Sequence, residues 1–404
     1  MKVTGIICEY NPLHSGHIHQ LRVARESGAD CIIALMSGSF TQRGEPAVFG
    51  KYHRAEAALL GGADLVVELP YPFSASSAEF FASAGVSILT RLGATHLCFG
   101  SESGDKDLLL RAAEIALSDE FRQGYSESVK DSVGSAAAYF NRLASLVGVK
   151  DFSSNDVLGV EYCKAILAQD SPMIPEVIRR IGAAYREEEL TGDLHPSASA
   201  VRRCLYDADS SLLADAYRDA ARVSPEIADL IRTASERGEV PADMRRALPA
   251  LLGFFRLKKP SEISHLAELS GGMAERICAA ARESTSYDEF YRLASTKKYT
   301  DSHVRRAILF AMTGVTPSDL RMTAPYVNLL AANARGREYL SSRRRAEETI
   351  KIVTRPASIR QDREISPEFA RQVELQQAAE ALYTMCLPTP LPAGIYLKSR
   401  AVML

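Results

Sequence analysis

Apolar runs that alternate with helical stretches over the first hundred residues constrain the fold more than any other feature. Residues 3–8, 31–36, 64–69 and 95–99 are short apolar runs, and helical patterns fill the chain between them. Strands and helices in regular alternation build a parallel sheet with helices packed on both faces. We therefore expect a doubly wound α/β domain at the start of the chain.

The length and the later pattern divide the chain into three predicted parts. A chain of 404 residues exceeds what one hydrophobic core usually organises. From about residue 210 the strand patterns disappear and helical stretches follow one another. We expect residues 1–205 to form the α/β domain, residues 206–349 a mainly helical domain, and residues 350–404 a C-terminal segment that packs on the preceding domains.

The tetrad His14-Ser15-Gly16-His17 follows the first predicted strand and opens the first predicted helix. Two histidines three positions apart share a helix face, and Gly16 allows a ligand to approach the backbone closely. The first-turn amides and the helix dipole attract phosphate. Attack on an α-phosphate builds negative charge on its oxygens, which preset imidazole N–H donors stabilise. We therefore predict that His14 and His17 are catalytic; the alternative is a pair of histidines without a ligand.

A second motif, Ser197-Ala198-Ser199-Ala200-Val201-Arg202, opens another predicted helix. Serine hydroxyls and first-turn amides can hold the β- and γ-phosphates of a nucleotide, and Arg202 can neutralise the departing pyrophosphate. The alternative is an N-capped helix that carries a surface arginine. The presence of the histidine tetrad in the same chain favours the phosphate-binding interpretation.

Together with several longer stretches, these motifs resemble the tRNA(Met) cytidine acetate ligase family, whose members are HxGH-motif nucleotidyltransferase-like enzymes. The stretch 36–47, MSGSFTQRGEPA, is far more discriminating than the tetrad. The similarity covers most of the chain, and its matching segments are residues 5–17, 36–47, 51–70, 99–102, 155–162, 179–185, 197–202 and 295–300.

The resemblance implies a Rossmann-like HxGH nucleotidyltransferase domain and a two-step reaction. Acetate would attack ATP to give acetyl-adenylate, and N4 of the wobble cytidine of elongator tRNA(Met) would then take the acetyl group. ATP is the implied substrate, and the use of Mg²⁺ stays open. By the family match and the serine motif, the expected ATP-binding residues are Ile7, Glu9, Asn11, Pro12, His14, Gly16, His17, Gln20, Gly100, Asn155, Arg180, Ile181, Ser197, Ser199 and Arg202.

Some of these assignments have alternatives in the sequence. Gly100 follows the fourth predicted strand, where a parallel sheet places its ligand crevice. Asn155 can instead be a helix N-cap, and Arg180 a solvated surface charge. The family usually has Asn-Asn where this chain has Asn155-Asp156, so the sequence leaves open which of the two residues contacts the nucleotide.

The segment 37–51 follows the second predicted strand and is therefore expected to border the site. Arg43 or Lys51 could meet the acetate carboxylate, the triphosphate or the tRNA, and the sequence does not choose among these partners. A plain surface loop with an exposed salt bridge is the alternative.

A positive block lies in the later part of an otherwise acidic chain. Residues 292–363 hold 15 Lys and Arg against 6 Asp and Glu, whereas residues 1–291 hold 30 against 40. Such a block on an acidic protein suggests a polyanionic partner. The predicted tRNA-binding residues are Lys297, Lys298, Tyr299, Arg305 and Arg306, with Tyr299 stacking on an unpaired base. A solvated basic face is the alternative.

Two other functions share these features. An HxGH adenylyltransferase that makes a nucleotide cofactor needs the same tetrad, but it has little need for a long helical domain with a positive block. A non-catalytic RNA-binding protein could keep the fold as a scaffold, although the intact tetrad and Arg202 argue against it.

The cysteine pattern indicates a reducing compartment. Seven cysteines are scattered singly without metal-binding spacing, so we expect free thiols and no metal site. No apolar run reaches the roughly 18 residues of a membrane span, and the N-terminus lacks a signal-peptide core. We expect a cytoplasmic protein without membrane contact, and the sequence does not predict its oligomeric state.

Overall fold

A mixed β-sheet runs through the centre of the protein. The computed structural model describes residues 1–123, 136–180, 196–296, 299–343, 349–361 and 365–404. Within these ranges eight strands join one sheet. They are β1 (Val3–Cys8), β2 (Cys31–Ser37), β3 (Leu65–Leu69), β4 (His96–Ser101), β5 (Ile174–Arg179), β6 (Tyr326–Ala332), β7 (Lys351–Val353) and β8 (Val402–Met403).

The strand order places a crevice in the middle of the sheet. The order is β5-β4-β1-β2-β3-β6-β7, and β8 pairs with β6. Strands β5, β4, β1, β2 and β3 are parallel, whereas β6 runs antiparallel to β3. The chain proceeds from β1 to β2 and β3 on one side and returns to β4 and β5 on the other, so the order reverses between β1 and β4. A crevice therefore opens at the carboxyl ends of these two strands.

Helices cover both faces of the parallel part and continue beyond it. The described α-helices are α1 (Ser15–Glu26), α2 (Lys51–Leu60), α3 (Ala78–Leu92), α4 (Lys106–Leu117), α5 (Ala136–Val147), α6 (Ser154–Ala168), α7 (Ala198–Asp207), α8 (Leu213–Ala221), α9 (Pro225–Asp229), α10 (Arg232–Glu236), α11 (Leu248–Leu257), α12 (Pro260–Ile263), α13 (Met273–Glu283), α14 (Tyr287–Ala294), α15 (Asp301–Thr313), α16 (Ala334–Arg343) and α17 (Pro367–Met385). None of the helices in these ranges combines the length and the apolar character needed to cross a membrane. The predicted doubly wound α/β class is confirmed.

Alternate residues of each central strand enter different cores. Val3 and Ile7 of β1 join one cluster of buried side chains, and Ile6 and Cys8 join another. This alternation follows from the two-residue period of a strand, and it explains why β1 to β3 are buried along their whole length. Strands covered on both faces are apolar throughout rather than alternating.

The cores do not follow the predicted division of the chain. Helix α8 contributes Leu213 and Tyr217 to the same cluster as Leu13 and Val48 near the N-terminus. A third cluster joins α11 to α15 with Leu375 and neighbouring residues of α17. The three predicted parts therefore share apolar cores, and the boundaries at residues 205 and 349 stay a prediction.

Strand β6 lies within residues 206–349, the part predicted to be mainly helical, and the sequence analysis did not predict it. Its seven residues are all buried, and it pairs with β3 through Leu65 and Ala332. A short, fully buried apolar run has no amphipathic period, so periodicity cannot separate a buried strand from a buried helix segment. The strand was therefore missed.

A buried ionic network links the start of α2 to the C-terminal helix. Lys51, Glu68 and Glu380 are 1%, 0% and 4% exposed. The ammonium of Lys51 lies 3.0 Å from both carboxylate oxygens of Glu68 and also contacts Glu380. Gln376 and Asn328 donate further hydrogen bonds to Glu68 at 2.9 and 2.8 Å. Four elements, α2, β3, β6 and α17, thus meet at one group of buried charges.

Lys51 is accordingly part of the fold rather than of the cleft. Burial alone lowers the pKa of an ammonium, but Glu380 and Glu68 outweigh it and raise the pKa of Lys51 well above its usual value. Burial raises the pKa of Glu380, and the charge of Lys51 opposes this shift. The expectation that Lys51 could meet a ligand is therefore wrong, because both of its carboxylate partners lie in the interior.

Lys51→Met should destabilise the fold by about 3 to 5 kcal/mol, because it leaves two carboxylates buried without their cation. Urea unfolding, followed by circular dichroism, measures the loss. Lys258→Met is the matched control: Lys258 is an exposed lysine that pairs with Glu262, and its replacement should cost about 0 to 1 kcal/mol. Adding Glu68→Gln and Glu380→Gln to Lys51→Met should recover part of the loss. Equal stabilities for the two single variants would contradict this role for Lys51.

Candidate active site

A cleft opens where the strand order reverses, and it gathers most of the predicted ATP-binding residues. Its walls come from the β1–α1 connection, from the end of β4 and from the first turns of α6 and α7. The predicted residues that line it are Ile7, Glu9, Asn11, His14, His17, Gln20, Gly100, Asn155, Arg180, Ser197, Ser199 and Arg202.

Three predicted contacts do not appear in the lining. Pro12 is a buried residue of the β1–α1 loop. The N–H of Gly16 donates to Nδ1 of His14 at 3.1 Å and thereby orders the helix start. Ile181 lies outside the described residues. Gly16 therefore acts on the site through His14 in this structure.

The two histidines form a reciprocal cap on α1. His14 is the N-cap residue, its Nδ1 accepts from Gly16, and its own N–H donates to Nδ1 of His17 at 3.3 Å. The rings stack with centroids 3.8 Å apart. A ring nitrogen that accepts an N–H carries no proton, so these two bonds leave Nε2 as the nitrogen from which each ring can donate. The cap thus presets two Nε2–H donors side by side.

His17 carries no charge at neutral pH. Burial in the cleft is the larger cause and the positive charge of Arg180 the smaller one; together they lower the pKa of His17 to about 3. The imidazole therefore donates a hydrogen bond as a neutral group. A neutral donor fixed in place stabilises charge that develops on a ligand without first having to give up water.

Arg202 connects the serine motif to the first loop. Ser197 caps α7 by accepting from Ala200 at 3.1 Å. The guanidinium of Arg202 donates to the carbonyl of Asn11 at 2.9 Å and to the hydroxyl of Ser199 at 3.2 Å. These bonds hold the positive charge of Arg202 in the lining of the cleft.

The predicted segment 37–51 lines the cleft through some of its residues but not through Lys51; the part before Lys51 is called the segment 37–50. It contributes Thr41, Gln42, Arg43 and Glu45. The N–H of Gln42 donates to the carboxylate of Glu9 at 2.7 Å. Burial raises the pKa of Glu9, and the Gln42 bond with three nearby arginines opposes the shift.

Buried polar groups fix this segment on the first loop. The N–H of Val48 donates to the side-chain oxygen of Asn11 at 2.7 Å. The guanidinium of Arg54, which is 1% exposed, donates to the carbonyls of Glu9 and Ser37 at 2.6 and 3.0 Å. These hydrogen bonds therefore fix the segment 37–50 to the β1–α1 loop.

A close contact fixes the tip of the same segment against α15. Gly44 has a φ of 76°, a conformation that favours glycine. A Cβ at this position would lie 2.8 Å from the backbone nitrogen of Arg306 and 2.9 Å from the carbonyl carbon of Arg305. Only a glycine fits this close approach of two backbones.

The structure separates Asn155 from Asp156. Asn155 lines the cleft and donates to Glu102, whereas the helix N-cap is Ser153. Asp156 is 6% exposed, and its carboxylate accepts from Ser103 at 3.0 Å and from Ser153 at 2.7 Å. Asp156 therefore orders the connection after β4, and Asn155 is the one of the two that lines the cleft.

An apolar wall of the cleft was missed by the sequence reasoning. Phe81, Phe99, Leu158 and Tyr162 line it, and the rings of Phe99 and Tyr162 lie 5.3 Å apart. Leu158 and Tyr162 are four residues apart on α6, which is also the spacing of an ordinary core face. That spacing alone could not identify the wall. The apolar side chains of the wall suit the binding of a flat apolar ring.

Of the predicted tRNA-binding residues that the structure describes, Arg306 is buried and Tyr299 and Arg305 are partly exposed. Lys297 and Lys298 lie outside the described residues. Tyr299 stacks on His303 with centroids 4.6 Å apart, and Arg305 pairs with Glu45 at 3.1 Å. Arg306 is 7% exposed and pairs with Glu268 at 2.7 Å.

Arg306 is therefore an interior residue, in contrast to the prediction. Consecutive residues of a helix point in different directions, so α15 directs Arg305 toward the segment 37–50 and Arg306 toward Glu268. In the part of the chain that the structure describes, no group of three or more His, Cys, Asp or Glu could hold a metal ion.

The fold, the crevice and the histidine cap together indicate a nucleotidyltransferase. The family model described as HIGH Nucleotidyl Transferase matches residues 1–393. The chain belongs to this family.

Full-length relatives narrow the class further. The relative from Acetivibrio thermocellus is 34% identical over 406 residues, 96% of each chain. The relative from Anoxybacillus flavithermus is 35% identical over 403 residues, 97% of this chain and 96% of its own. Both are named tRNA(Met) cytidine acetate ligase, so the family resemblance seen in the sequence is confirmed.

Solved structures agree with these relatives. The apo form of Thermotoga maritima TmcAL superposes with a TM-score of 0.90 at 31% identity, over 100% of both chains. A second crystal form of the same protein, bound to alpha-thio ATP, superposes with a TM-score of 0.88 over 100% of both chains.

His17 should remain neutral from pH 8 down to about pH 4, because burial and Arg180 both disfavour its charged form. NMR titration of ring-labelled histidine measures this, and the His17→Ala spectrum assigns the signal. In the unfolded chain this imidazole takes a proton below about pH 6.5, so the native state should lose stability as pH falls from 6.5 toward 3. A His17 midpoint near 6.5 would contradict the described cleft.

Proposed function

We propose that this ligase activates acetate with ATP to give acetyl-adenylate and transfers the acetyl group to N4 of the wobble cytidine of elongator tRNA(Met). The observation that carries the proposal is the pair of preset Nε2–H donors at the crevice of a HIGH nucleotidyl transferase fold. Full-length relatives named tRNA(Met) cytidine acetate ligase support the choice of substrates.

In the proposed first step an acetate oxygen attacks the α-phosphorus of ATP. The new P–O bond forms as the bond to the β-phosphate breaks and pyrophosphate leaves. Negative charge builds on the α-phosphate oxygens, where His14 and His17 would donate. Ser197, Ser199 and Arg202 would hold the departing pyrophosphate, since a guanidinium matches phosphate oxygens in charge and geometry.

The apolar wall gives the base of ATP a place in this scheme. Adenine would lie against Phe81, Phe99 and Leu158, a surface that excludes water from a flat ring. Further ATP-binding residues in this scheme would be Ile7, Glu9, Asn11, Gln20, Gly100, Asn155 and Arg180.

In the proposed second step the N4 amine attacks the acetyl carbonyl carbon. The N–C bond forms, the C–O bond to AMP breaks, and N4 releases one proton to solvent. An amine whose lone pair is delocalised into a ring is a poor nucleophile, which is why the acetyl group first needs AMP as a good leaving group.

The tRNA would approach from the side of α15. Arg305 and Tyr299 would contact the tRNA. Arg306 would not, because it is buried. Lys297 and Lys298 are kept on their charge alone. We also propose a cytoplasmic location, because all seven cysteines are free thiols.

Incubation with labelled acetate, ATP and total tRNA, followed by digestion to nucleosides, should place the label on cytidine in an ATP-dependent manner. His17→Ala should lower the rate by about 100- to 1,000-fold, because it removes one donor to the developing charge. His19→Ala is the matched control, since His19 lies on the same helix but does not line the cleft. Unlabelled cytidine in the wild-type reaction would overturn the function, and a full-rate His17→Ala enzyme would overturn the site.

Arg202→Ala should raise the KM for ATP by about 10- to 150-fold, the effect of losing a hydrogen bond to a charged group. The affinity for tRNA should change much less, since the proposed partner of Arg202 is the pyrophosphate. Steady-state kinetics with ATP and tRNA varied in turn separate the two effects. An unchanged ATP dependence would return Arg202 to the role of a structural link between Asn11 and Ser199.

A further inference from the structure

A second cavity adjoins the cleft. Its volume is about 460 Å³, within the range of roughly 300 to 1,000 Å³ that is usual for small-molecule sites. Arg43, Glu45, Ser199 and Arg202 line both the cleft and this cavity. The two spaces are therefore adjacent, and a molecule in the second cavity would lie across these four side chains from one bound in the cleft.

Helix α7 leads from one space to the other. Ser199 and Arg202 lie at the boundary, and Arg203 and Tyr206 lie in the second cavity. Positions three and four apart share a helix face, so the helix that opens with the proposed phosphate-binding serines continues as the floor of the neighbouring space.

The second cavity combines aromatic rings with guanidinium groups. Tyr206 is 39% exposed, and its hydroxyl donates to the carbonyl of Ala242 at 3.2 Å, which anchors the far end of the ring. Tyr287 stacks on Tyr291 with an angle of 8° between the planes. Arg305 lies 5.0 Å from the centre of the Tyr291 ring and pairs with Glu45 at the boundary.

The charge of this cavity is positive. Five arginines line it against three acidic residues, and the arginines are Arg43, Arg202, Arg203, Arg245 and Arg305. Single-stranded RNA is recognised by this combination, because unpaired bases stack on aromatic rings and guanidinium planes while cations hold the backbone phosphates. A site for a lone phosphate would not need the two tyrosine rings in the lining, Tyr206 and Tyr287.

We propose that the second cavity receives the acceptor nucleotide of the RNA substrate, with its base stacked on Tyr206 or Tyr287 and its backbone held by Arg203 and Arg245. The inference rests on the proposed function and specifies where the reacting nucleotide enters. A base seated there would be separated from the cleft only by the side chains that line both spaces, among them Arg43, Glu45 and Arg202. The nucleotide has to leave the stack of its loop to reach this position.

The test uses a short RNA stem-loop that carries the acceptor cytidine in its loop, and the same RNA with an abasic site at that position. Fluorescence anisotropy gives the dissociation constants without turnover. The wild-type protein should prefer the intact RNA by about 5- to 150-fold, the effect of stacking one base. The double variant Tyr206→Leu/Tyr287→Leu should lose this preference, and Tyr206→Phe/Tyr287→Phe should keep it, because only the second retains the rings.

Arginine variants provide the second measurement. Arg203→Ala and Arg245→Ala should weaken the binding of both RNAs equally and flatten its salt dependence, since a phosphate contact releases counterions whether or not the base is present. Arg232→Ala is the matched control, an exposed arginine on α10 that pairs with Asp229 away from both cavities. The KM for ATP should be unchanged in the tyrosine variants.

Three outcomes would overturn the inference: no preference of the wild type for the intact RNA, an unchanged preference in a folded Tyr206→Leu/Tyr287→Leu protein, or a raised KM for ATP with normal RNA binding. The last result would assign the cavity to the triphosphate or to pyrophosphate. Failure of the proposed function would give a different result. The wild-type protein would then transfer no labelled acetate to the RNA, whether or not it preferred the intact stem-loop.

Discussion

The buried pairing of Lys51 with Glu68 and Glu380 is the interaction on which the rest of the architecture depends. Charges without water are costly unless they are fully paired, and here the partners come from the N-terminal sheet and from the C-terminal helix. The N-terminal elements that carry Lys51 and Glu68 must therefore meet the C-terminal helix that carries Glu380 before the network can form. Lys51 also follows the segment 37–50 directly, so the network fixes one end of the segment that lines the cleft. Arg54, one turn later, fixes the other end through the carbonyl of Ser37.

The first strand, the tetrad and the helix that follows could be predicted because local rules determine them. An apolar run leads into the crevice, and His14 and His17 cap the helix through bonds between neighbours in the sequence. The role of Lys51 could not be predicted in this way. A lysine at a helix start looks like a ligand-binding or solvated residue until Glu380, which is 329 positions away, is brought next to it. Strand β6 was missed for a similar reason, since its pairing with β3 is decided by tertiary contacts.

The positive block shows what composition can and cannot predict. A local excess of cations suggested a polyanion-binding surface that includes α15, but charge counting does not distinguish a side chain that faces solvent from one that faces the interior. Arg305 and Arg306 are neighbours in the sequence, yet one reaches the boundary between the two cavities and the other neutralises Glu268. The apolar wall of the cleft was not predicted, for a different reason. Apolar residues that line a cleft have the same spacing along a helix as residues of a core, so the sequence pattern does not separate the two.

Gly44 sets how closely the segment 37–50 approaches α15. A Cβ at this position would lie 2.8 Å from the backbone nitrogen of Arg306, so any other residue would push the segment 37–50 away from α15. Arg43 and Glu45, on either side of Gly44, line both the cleft and the second cavity. A side chain at position 44 would therefore displace the two residues that the cleft and the second cavity share.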